Sequence, residues 1–158
     1  LGEDYVVLIG GTGPLRDELQ ELIRHWGVTD RVKLLGRISE EDLPAYYGAC
    51  SLFCLSSVQK TEAFGIVQIE AMSCGKPVVA TRIPQSGVAW VNSDEESGLN
   101  VEPGDARALA SALRRICEDE ELGRRLSAGA RERVQRLFHI DRMIDETINL
   151  YNQLWKNQ

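Results

Sequence analysis

The sequence predicts an α/β fold, a Rossmann-like and mostly parallel sheet with flanking helices. Short apolar runs alternate with helical patterns through the first half of the chain, and each run ends at a glycine or a polar loop. Apolar positions at helical spacing fill the second half. Strands that alternate with helices form βαβ units, which assemble into parallel sheets. The second half is therefore expected to be helical cladding on the sheet of the first.

The predicted strands are short apolar segments. They cover Tyr5–Ile9, Arg31–Leu35, Ser51–Leu55, Val78–Ala80 and Leu99–Val101. A continuous apolar run such as the first is typical of a strand that is buried on both faces of a parallel sheet. This pattern predicts that the first strand is buried.

The predicted helices have recognisable starts. They begin near Pro14, Ser39, Phe64, Asp105, Glu120 and Asp141. Proline favours the first turn of a helix, and serine or aspartate favours the N-cap. Gly27 ends the first helix, and Gly75-Lys76-Pro77 breaks the third. The second helix is expected to run to about Ala49, the fifth to Leu137 and the sixth to Lys156.

Composition excludes several classes of function. The net charge of −6 disfavours nucleic acid as a partner, because phosphate backbones select basic surfaces. No apolar run approaches the roughly 20 residues that span a bilayer, which leaves only peripheral membrane contact open. The 158 residues fit one domain, and a start at Leu1 without methionine suggests a piece of a longer protein.

The four cysteines show no metal-binding spacing. They are Cys50, Cys54, Cys74 and Cys117, and each has apolar neighbours. Buried, unpaired thiols are therefore expected. Unpaired thiols are typical of a reducing compartment, so the sequence predicts a cytoplasmic protein.

A glycine-rich segment, Gly10–Pro14, lies between the first predicted strand and the first predicted helix. Glycines let the backbone approach a ligand, and the amides of a helix N-terminus favour anions. The segment lacks the full Gly-x-Gly-x-x-Gly fingerprint and the Gly-Lys-Ser/Thr of a phosphate loop. By itself it fits a purely structural turn as well as a ligand site.

Two glutamates, Glu62 and Glu70, are separated by seven residues. Positions eight apart differ by about 80° around a helix, so the pair would not share one face. Gly65 places the helix start near Phe64, which leaves Glu62 in the preceding loop and Glu70 up to two turns along. An anion at the helix N-terminus would then lie between two carboxylates, as a nucleoside diphosphate sugar requires.

A surface position is the alternative for both glutamates. It fits Glu70 poorly, because the apolar residues around it predict a largely buried helix. A buried carboxylate needs a hydrogen-bond or ion-pair partner. The sequence therefore predicts that Glu70 is buried and held by such a partner.

This segment resembles the Glu-x7-Glu motif of the retaining GT-B glycosyltransferases, the glycosyl transferases group 1 family. The matching segments are Glu62–Val67, Glu70–Ala80, Leu8–Leu15, Arg31–Gly36, Leu43–Tyr47 and Glu96–Asp105. They cover nearly the whole chain in the family's order. As a set they are specific.

The resemblance implies two Rossmann-like domains that face a cleft, the second of which holds the donor. Residues 1–158 would be this nucleotide-sugar-binding domain, lacking its first strand and the N-terminal acceptor domain. The implied reaction transfers a hexose from a nucleotide-diphosphate sugar to an acceptor with retention. A sugar or lipid-linked acceptor would bind through the missing domain, so this chain alone is expected to be inactive.

The resemblance also implies roles for individual residues. Glu62 would be the catalytic residue and contact the donor sugar, and Glu70 would bind the ribose hydroxyls. The implied donor-binding residues besides Glu70 are Gly11, Gly13, Gly36, Arg37, Ile38, Phe64, Gly65, Ile66 and Val67. The amides at the helix start would hold the diphosphate, the first two glycines would line the donor site, and residues 36–38 would meet the base.

No cofactor or metal is expected, because the sequence offers no Asp-x-Asp or histidine cluster. The family's Arg and Lys on the diphosphate have no counterpart in this chain. Trp90 occupies a region where a glutamate is common, which leaves the donor contacts of that loop open. Two alternatives remain, a nucleotide-sugar epimerase of GT-B build and a non-catalytic nucleotide-sugar-binding module.

Overall fold

The computed structural model describes residues 5–156 as an α/β chain in two compact units, Leu1–Tyr46 and Tyr47–Gln158. Every strand pairing in it is parallel, which confirms the predicted fold class. The four cysteines are unpaired, as predicted, but they are half-buried rather than buried.

The first unit contains a two-stranded parallel sheet of β1 (Val7–Gly10) and β2 (Val32–Gly36), joined by α1 (Arg16–His25). Gly27 follows α1 in the left-handed region, at φ 62°, which ends the helix as predicted. The helix begins two residues after Pro14, because Pro14 and Leu15 form a turn. Ser39 caps the turn before α2 (Leu43–Ala49), where its hydroxyl oxygen accepts from the Asp42 amide at 3.1 Å.

The prediction that the first strand is buried was wrong. All four residues of β1 are exposed within the described chain, and Leu8 is half exposed. An apolar run shows that a strand can be covered on both faces. One partner strand and the single helix α1 do not supply that cover in this unit.

The second unit contains a three-stranded parallel sheet in the order β3 (Phe53–Leu55), β4 (Val78–Thr81) and β5 (Gly98–Val101). The central strand β4 is buried along its whole length. Val78 and Ala80 pack into one apolar cluster with Met72 and Val88, whereas Val79 packs into a second cluster. Alternate residues of a strand point to opposite faces, so the two clusters cover the two faces of the sheet.

Helices α3 (Ile66–Ser73), α4 (Val88–Val91), α5 (Ala106–Glu118), α6 (Glu120–Leu137) and α7 (Ile140–Lys156) complete the second unit. Asp105 caps α5, and its carboxylate accepts from the amides of Arg107 and Ala108 at 3.0 and 2.9 Å. The predicted bounds of α6 are confirmed. The sequence did not predict α4, a single turn.

The prediction of helical cladding holds for α5 and α6, which contribute Ala112, Ile116, Leu126 and Ala130 to the core. It was wrong for α7, none of whose residues is buried. Helical spacing of apolar residues predicted this helix correctly. It did not determine which surface, if any, the helix covers.

Candidate donor site

The site begins at the turn between β3 and α3, where Gly65 adopts a left-handed backbone with φ 76°. A Cβ atom there would lie 2.5 Å from Gln68 Nε2 and 2.9 Å from Leu55 Cδ2. The backbone angle favours glycine, and a Cβ atom would in addition displace the side chains of Gln68 and Leu55. Gly65 therefore sets the position and direction of the first turn of α3.

The first turn of α3 presents its outer face to solvent. Ile66 is 65% exposed, and Phe64 and Val67 are each more than a third exposed. The leading amides of an α-helix have no acceptor within the helix, and they carry the positive end of its dipole. Phe64, Ile66 and Val67 therefore place amide donors at an open surface, as an anion site requires, whereas Gly65 is buried.

The structure corrects the prediction that α3 is largely buried and encloses Glu70. Gln68, Ala71 and Met72 are its buried residues, and Glu70 is exposed. A helix that packs one side on a sheet leaves its other side open, and the apolar residues of α3 occupy both sides. Ile66 and Val67 lie on the open side with Glu70.

Glu70 nevertheless has the side-chain partner that the prediction required. The Tyr47 hydroxyl donates a hydrogen bond of 2.9 Å to Glu70 Oε2. Tyr47 is buried, and its ring packs edge-on against Phe53 with centroids 5.6 Å apart. Burial raises the pKa of the Tyr47 phenol, and the bond to Glu70 raises that pKa further. The phenol thus remains a proton donor and holds the carboxylate in one orientation.

Glu62 lies in the loop four residues before α3, as predicted, and is half-buried. Hydrogen bonds hold the main chain of this loop. The Glu62 amide donates to Gln59 O at 3.0 Å, and Glu62 O accepts from Ser86 Oγ at 2.5 Å. Within residues 5–156, the Glu62 carboxylate forms no ion pair or hydrogen bond, so it can engage a ligand.

In the first unit, the predicted site residues lie at the carboxyl ends of β1 and β2. The Gly11 amide donates to Gly36 O at 2.7 Å, and both glycines have positive φ angles, 135° and 74°. Ile38 packs so closely on Gly10 that a Cβ atom there would lie 2.7 Å from Ile38 Cδ1. Arg37 is exposed between Gly36 and Ile38.

Gly13 is exposed in the loop before α1. The structure thus brings Gly11, Gly36 and Ile38 together, with Gly13 and Arg37 on the adjoining loops. It likewise groups Glu62, Phe64, Gly65, Ile66, Val67 and Glu70 around the start of α3. The first group belongs to Leu1–Tyr46 and the second to Tyr47–Gln158.

Trp90, in α4, joins an aromatic cluster beside the first turn of α3. Its ring lies 6.0 Å from that of Phe64 and 5.5 Å from that of Phe138. The guanidinium of Arg133 lies 5.8 Å from the Trp90 ring centroid and donates to Trp90 O and Val91 O. Trp90 therefore supports the loop before α3 through Phe64, a role that the sequence left open.

Sequence reasoning missed three residues that hold the site together, Tyr47, Gln68 and Ser86. Tyr47 was noticed only as part of a matching segment, and Gln68 lies in α3 among apolar residues. Gln68 is fully buried, which is uncommon for glutamine and marks a structural task. The bond from Gln68 to Val88 O and the bond from Ser86 to Glu62 O join residues at least 20 positions apart, so no local pattern could have revealed them.

Residues 5–156 contain no group of three or more His, Cys, Asp or Glu side chains placed to hold a metal ion. No helix among them is both long enough and apolar enough to cross a bilayer.

The chain is similar in sequence and structure to known proteins. The glycosyl transferases group 1 family matches residues 1–133. This chain belongs to that family. The match includes every residue of the candidate site, and the helix α7 lies beyond it.

Several relatives are similar over nearly the whole chain. The O-antigen chain mannosyltransferase C of Escherichia coli is 31% identical over 153 residues, which are 97% of this chain and 40% of that protein. The sucrose-phosphate synthase of Thermosynechococcus elongatus has a similar structure, with 36% identity and a TM-score of 0.80, covering 96% of this chain and 39% of the other.

Anabaena HepE, solved with UDP, is 29% identical with a TM-score of 0.81, covering 94% of this chain and 42% of that one. A second structure of HepE contains UDP-glucose. This chain thus spans about two fifths of the length of these relatives. Their likeness confirms a GT-B type fold and favours a glycosyltransferase over an epimerase or a non-catalytic module.

Proposed function

We propose that this chain is the donor-binding part of a retaining glycosyltransferase that moves a hexose from a nucleotide-diphosphate sugar to an acceptor. One observation carries the proposal. The first turn of α3 opens to solvent behind Gly65, with Glu62 before it and Glu70 on its exposed side. A ligand with hydroxyls at both ends and negative charge between them matches this order of groups.

The diphosphate is assigned to the amides at the start of α3, residues 64–67. Breaking the bond between the anomeric carbon and the diphosphate leaves negative charge on the departing phosphate. Amides fixed by Gly65 and aimed at that phosphate stabilise the charge as it develops, and the helix dipole adds to the effect. The chain's own contribution to the reaction is therefore a preorganised anion site.

Glu70 is assigned to the ribose hydroxyls, which would donate to its carboxylate. Hydrogen bonds to a charged acceptor are stronger than neutral ones, and Tyr47 already orients this acceptor. With Glu70 committed to ribose, a two-carboxylate hydrolase mechanism fits poorly, because that mechanism needs both carboxylates at the sugar. Glu62 is assigned to the donor sugar, where its unbonded carboxylate meets the ring.

The base and the remaining donor contacts are assigned to the strand ends of the first unit. Gly11 and Gly13 would line the donor site, and residues 36–38 would meet the base. In parallel sheets, ligands bind beyond the carboxyl ends of the strands. Gly11 and Gly36 support this assignment. They are hydrogen-bonded to each other at that edge, and neither carries a side chain that would block a ligand.

The remaining parts of the proposal concern the whole protein. We propose a metal-independent transfer in the cytoplasm to a sugar or lipid-linked acceptor. The acceptor would be held outside these 158 residues, which span about two fifths of the relatives. Positioning an acceptor can lower the activation barrier by about 7–11 kcal/mol. Without that contribution, the chain alone would bind the donor but would not transfer the sugar.

The test combines binding with stereochemistry. The chain is titrated by calorimetry with UDP-, GDP- and ADP-linked glucose and with GDP-mannose, and at least one is expected to bind in the millimolar range or tighter. The protein with its acceptor-binding part is then followed by NMR of the anomeric proton, and the product should keep the donor's configuration. Inverted product would disprove retention, and no binding of any donor would disprove the proposed function.

A further inference from the structure

The loop that carries Glu62 is held by hydrogen bonds to three consecutive carbonyl groups. Glu62 O accepts from Ser86 Oγ at 2.5 Å, and Ala63 O accepts from the Gly87 amide at 2.7 Å. Phe64 O accepts from Gln68 Nε2 at 3.4 Å. Residues 62–64 belong to no helix or strand. Their backbone is therefore held by these three hydrogen bonds and not by the regular hydrogen bonds of secondary structure.

The segment on the other side of these contacts is itself constrained. Ser86 Oγ accepts from the Val88 amide at 3.2 Å and donates to Glu62 O at 2.5 Å, with Ala63 O as a longer alternative acceptor at 3.3 Å. A Cβ atom at Gly87 would lie 3.0 Å from Phe64 Cδ2 and 3.1 Å from Ala63 O. The two loops therefore approach as closely as a glycine allows. We call Ser86 and Gly87 together the loop anchor.

A second connection runs through the interior. The buried Gln68 donates through the same Nε2 to Val88 O at 3.4 Å, so its amide bridges the loop before α3 and the start of α4. Val88 is fully buried in the core cluster that also contains Met72 of α3. Gln68 thus connects the Glu62 loop to the buried core, beside the contacts that the loop anchor makes.

We propose that Ser86 is a positioning residue that sets the place of the Glu62 carboxylate against the donor sugar. This proposal rests on the proposed function, since it assigns Glu62 to the sugar. The Glu62 carboxylate forms no hydrogen bond or ion pair within residues 5–156, so the position of its backbone sets the point from which the carboxylate reaches the donor. Ser86 holds the carbonyl of that same residue.

Small displacements of a catalytic group have a large effect on the reaction rate. A shift of about 1 Å at a reacting group can lower a rate by roughly 100-fold. The Ser86 hydroxyl does not itself need to touch the donor, because its proton is engaged by Glu62 O. The anchor therefore acts through Glu62, and removing Glu62 should remove the effect of Ser86.

The first experiment tests whether the anchor exists as described. Amide hydrogen exchange is measured for the wild-type chain, for Ser86→Ala and for Ser73→Ala. Ser73→Ala is the matched control, since Ser73 also donates to a carbonyl, Ile69 O at 2.7 Å, but on the exposed side of α3. Ser86→Ala should speed exchange at Gly87 and Val88 by about tenfold, and Ser73→Ala should not.

The second experiment is a double-mutant cycle on binding. Affinities for UDP and UDP-glucose, or for whichever base the wild type prefers, are measured for Ser86→Ala, Glu62→Ala and the double variant. Ser86→Ala should weaken binding of the sugar-bearing donor about threefold to tenfold, and binding of the nucleotide less than about twofold. In the Glu62→Ala background, Ser86→Ala should cause no further loss. Ser86→Thr keeps the hydroxyl and should restore donor binding.

Every outcome of the two experiments either supports or overturns the role of Ser86. Unchanged exchange at Gly87 and Val88 overturns the anchor, and so does an equal loss from Ser86→Ala with and without Glu62. If Ser86→Ala lowers the affinity for UDP and for UDP-glucose equally, Ser86 supports the start of α3 rather than the position of Glu62. That result also overturns the proposal. If the wild type binds no donor, the proposed function itself fails, whatever the exchange experiment shows.

Discussion

The two carboxylates of the candidate site are held in opposite ways. Glu70 lies in α3 and is fixed through its side chain, which accepts from Tyr47 at 2.9 Å. Glu62 lies in a loop and is fixed through its main chain, which accepts from Ser86 at 2.5 Å. The first carboxylate is oriented before any ligand arrives, whereas the second has no hydrogen-bond or ion-pair partner within residues 5–156.

This difference matches the two proposed tasks. A carboxylate that binds ribose makes the same contacts throughout the reaction, so a fixed orientation stabilises substrate and transition state alike. The carboxylate proposed to lie beside the sugar would gain its partner only when the donor binds, and a side chain without a partner on a fixed backbone can do this. The comparison yields five predictions.

The largest expected effect is on transfer by the protein with its acceptor-binding part. Glu62→Ala should lower the transfer rate about 100-fold, because a group positioned at the reacting sugar is lost. Affinity of the chain for a nucleoside diphosphate should stay nearly unchanged. Steady-state rates and calorimetry check both statements. Glu121→Ala, which removes an exposed carboxylate from α6, is the control. Equal losses of nucleotide and donor binding would contradict the role of Glu62.

Glu70→Gln should show the reverse pattern. Charge-assisted hydrogen bonds contribute about 1.5–3 kcal/mol, so nucleoside diphosphate affinity should fall roughly tenfold to a hundredfold. The loss should be the same with and without the sugar, because the ribose is common to both ligands. Calorimetry with matched pairs such as UDP and UDP-glucose measures this. Unchanged affinity in a folded variant would remove Glu70 from the site.

Gly65→Ala tests what the two carboxylates share, the start of α3. A left-handed backbone costs an L-residue about 1–2 kcal/mol, and the new Cβ atom would also displace Gln68. The free energy of unfolding should fall by more than that amount, and both ligands should bind more weakly. The control is Gly104→Ala, since Gly104 has φ 80° but open space around its Cβ position. Equal destabilisation in urea would show that the contact with Gln68 contributes nothing.

Tyr47→Phe has the smallest expected effect, because Glu70 remains present but is no longer oriented. Nucleoside diphosphate affinity should fall about threefold, in line with roughly 0.5–1.5 kcal/mol for one hydrogen bond. Tyr46→Phe removes a hydroxyl from the neighbouring residue and should change nothing. A loss as large as that of Glu70→Gln would show that orientation, rather than charge, dominates.

The same variant has a pH signature. The pKa of Tyr47 is raised in the folded protein, first by burial and then by its bond to Glu70. A raised pKa stabilises the fold fully below the ordinary tyrosine value of about 10, and that stabilisation is lost as pH rises above it. The urea midpoint should therefore fall less between pH 9 and 11 in Tyr47→Phe than in the wild type. Parallel curves would contradict a raised pKa at Tyr47.

Local patterns predicted most of the elements correctly. The cap at Asp105, the stop at Gly27 and the bounds of α6 depend on residues that are close in sequence, and the structure confirms all three. The glycine at position 65 and the loop position of Glu62 also follow from local chemistry, because left-handed turns select glycine. The same reasoning failed for the burial of β1, α7 and Glu70.

Those failures have one physical cause. An apolar run indicates that a surface is suited to burial, whereas actual burial depends on which element packs against that surface. The apolar runs of β1 and β4 look alike in sequence, yet β4 lies between two strands and two core clusters, and β1 pairs with one strand. Glu70 has apolar neighbours and is exposed, since α3 packs on one side only.

The sequence by itself determined the fold class and the family, because capping, turn chemistry and motif spacing are local properties, and it predicted a set of candidate site residues. Only the tertiary structure decided how those residues are held. Tyr47 is 23 residues from Glu70, and Ser86 is 24 residues from Glu62. Hydrogen bonds over such separations depend on how the strands and helices pack, and no spacing in the sequence encodes them.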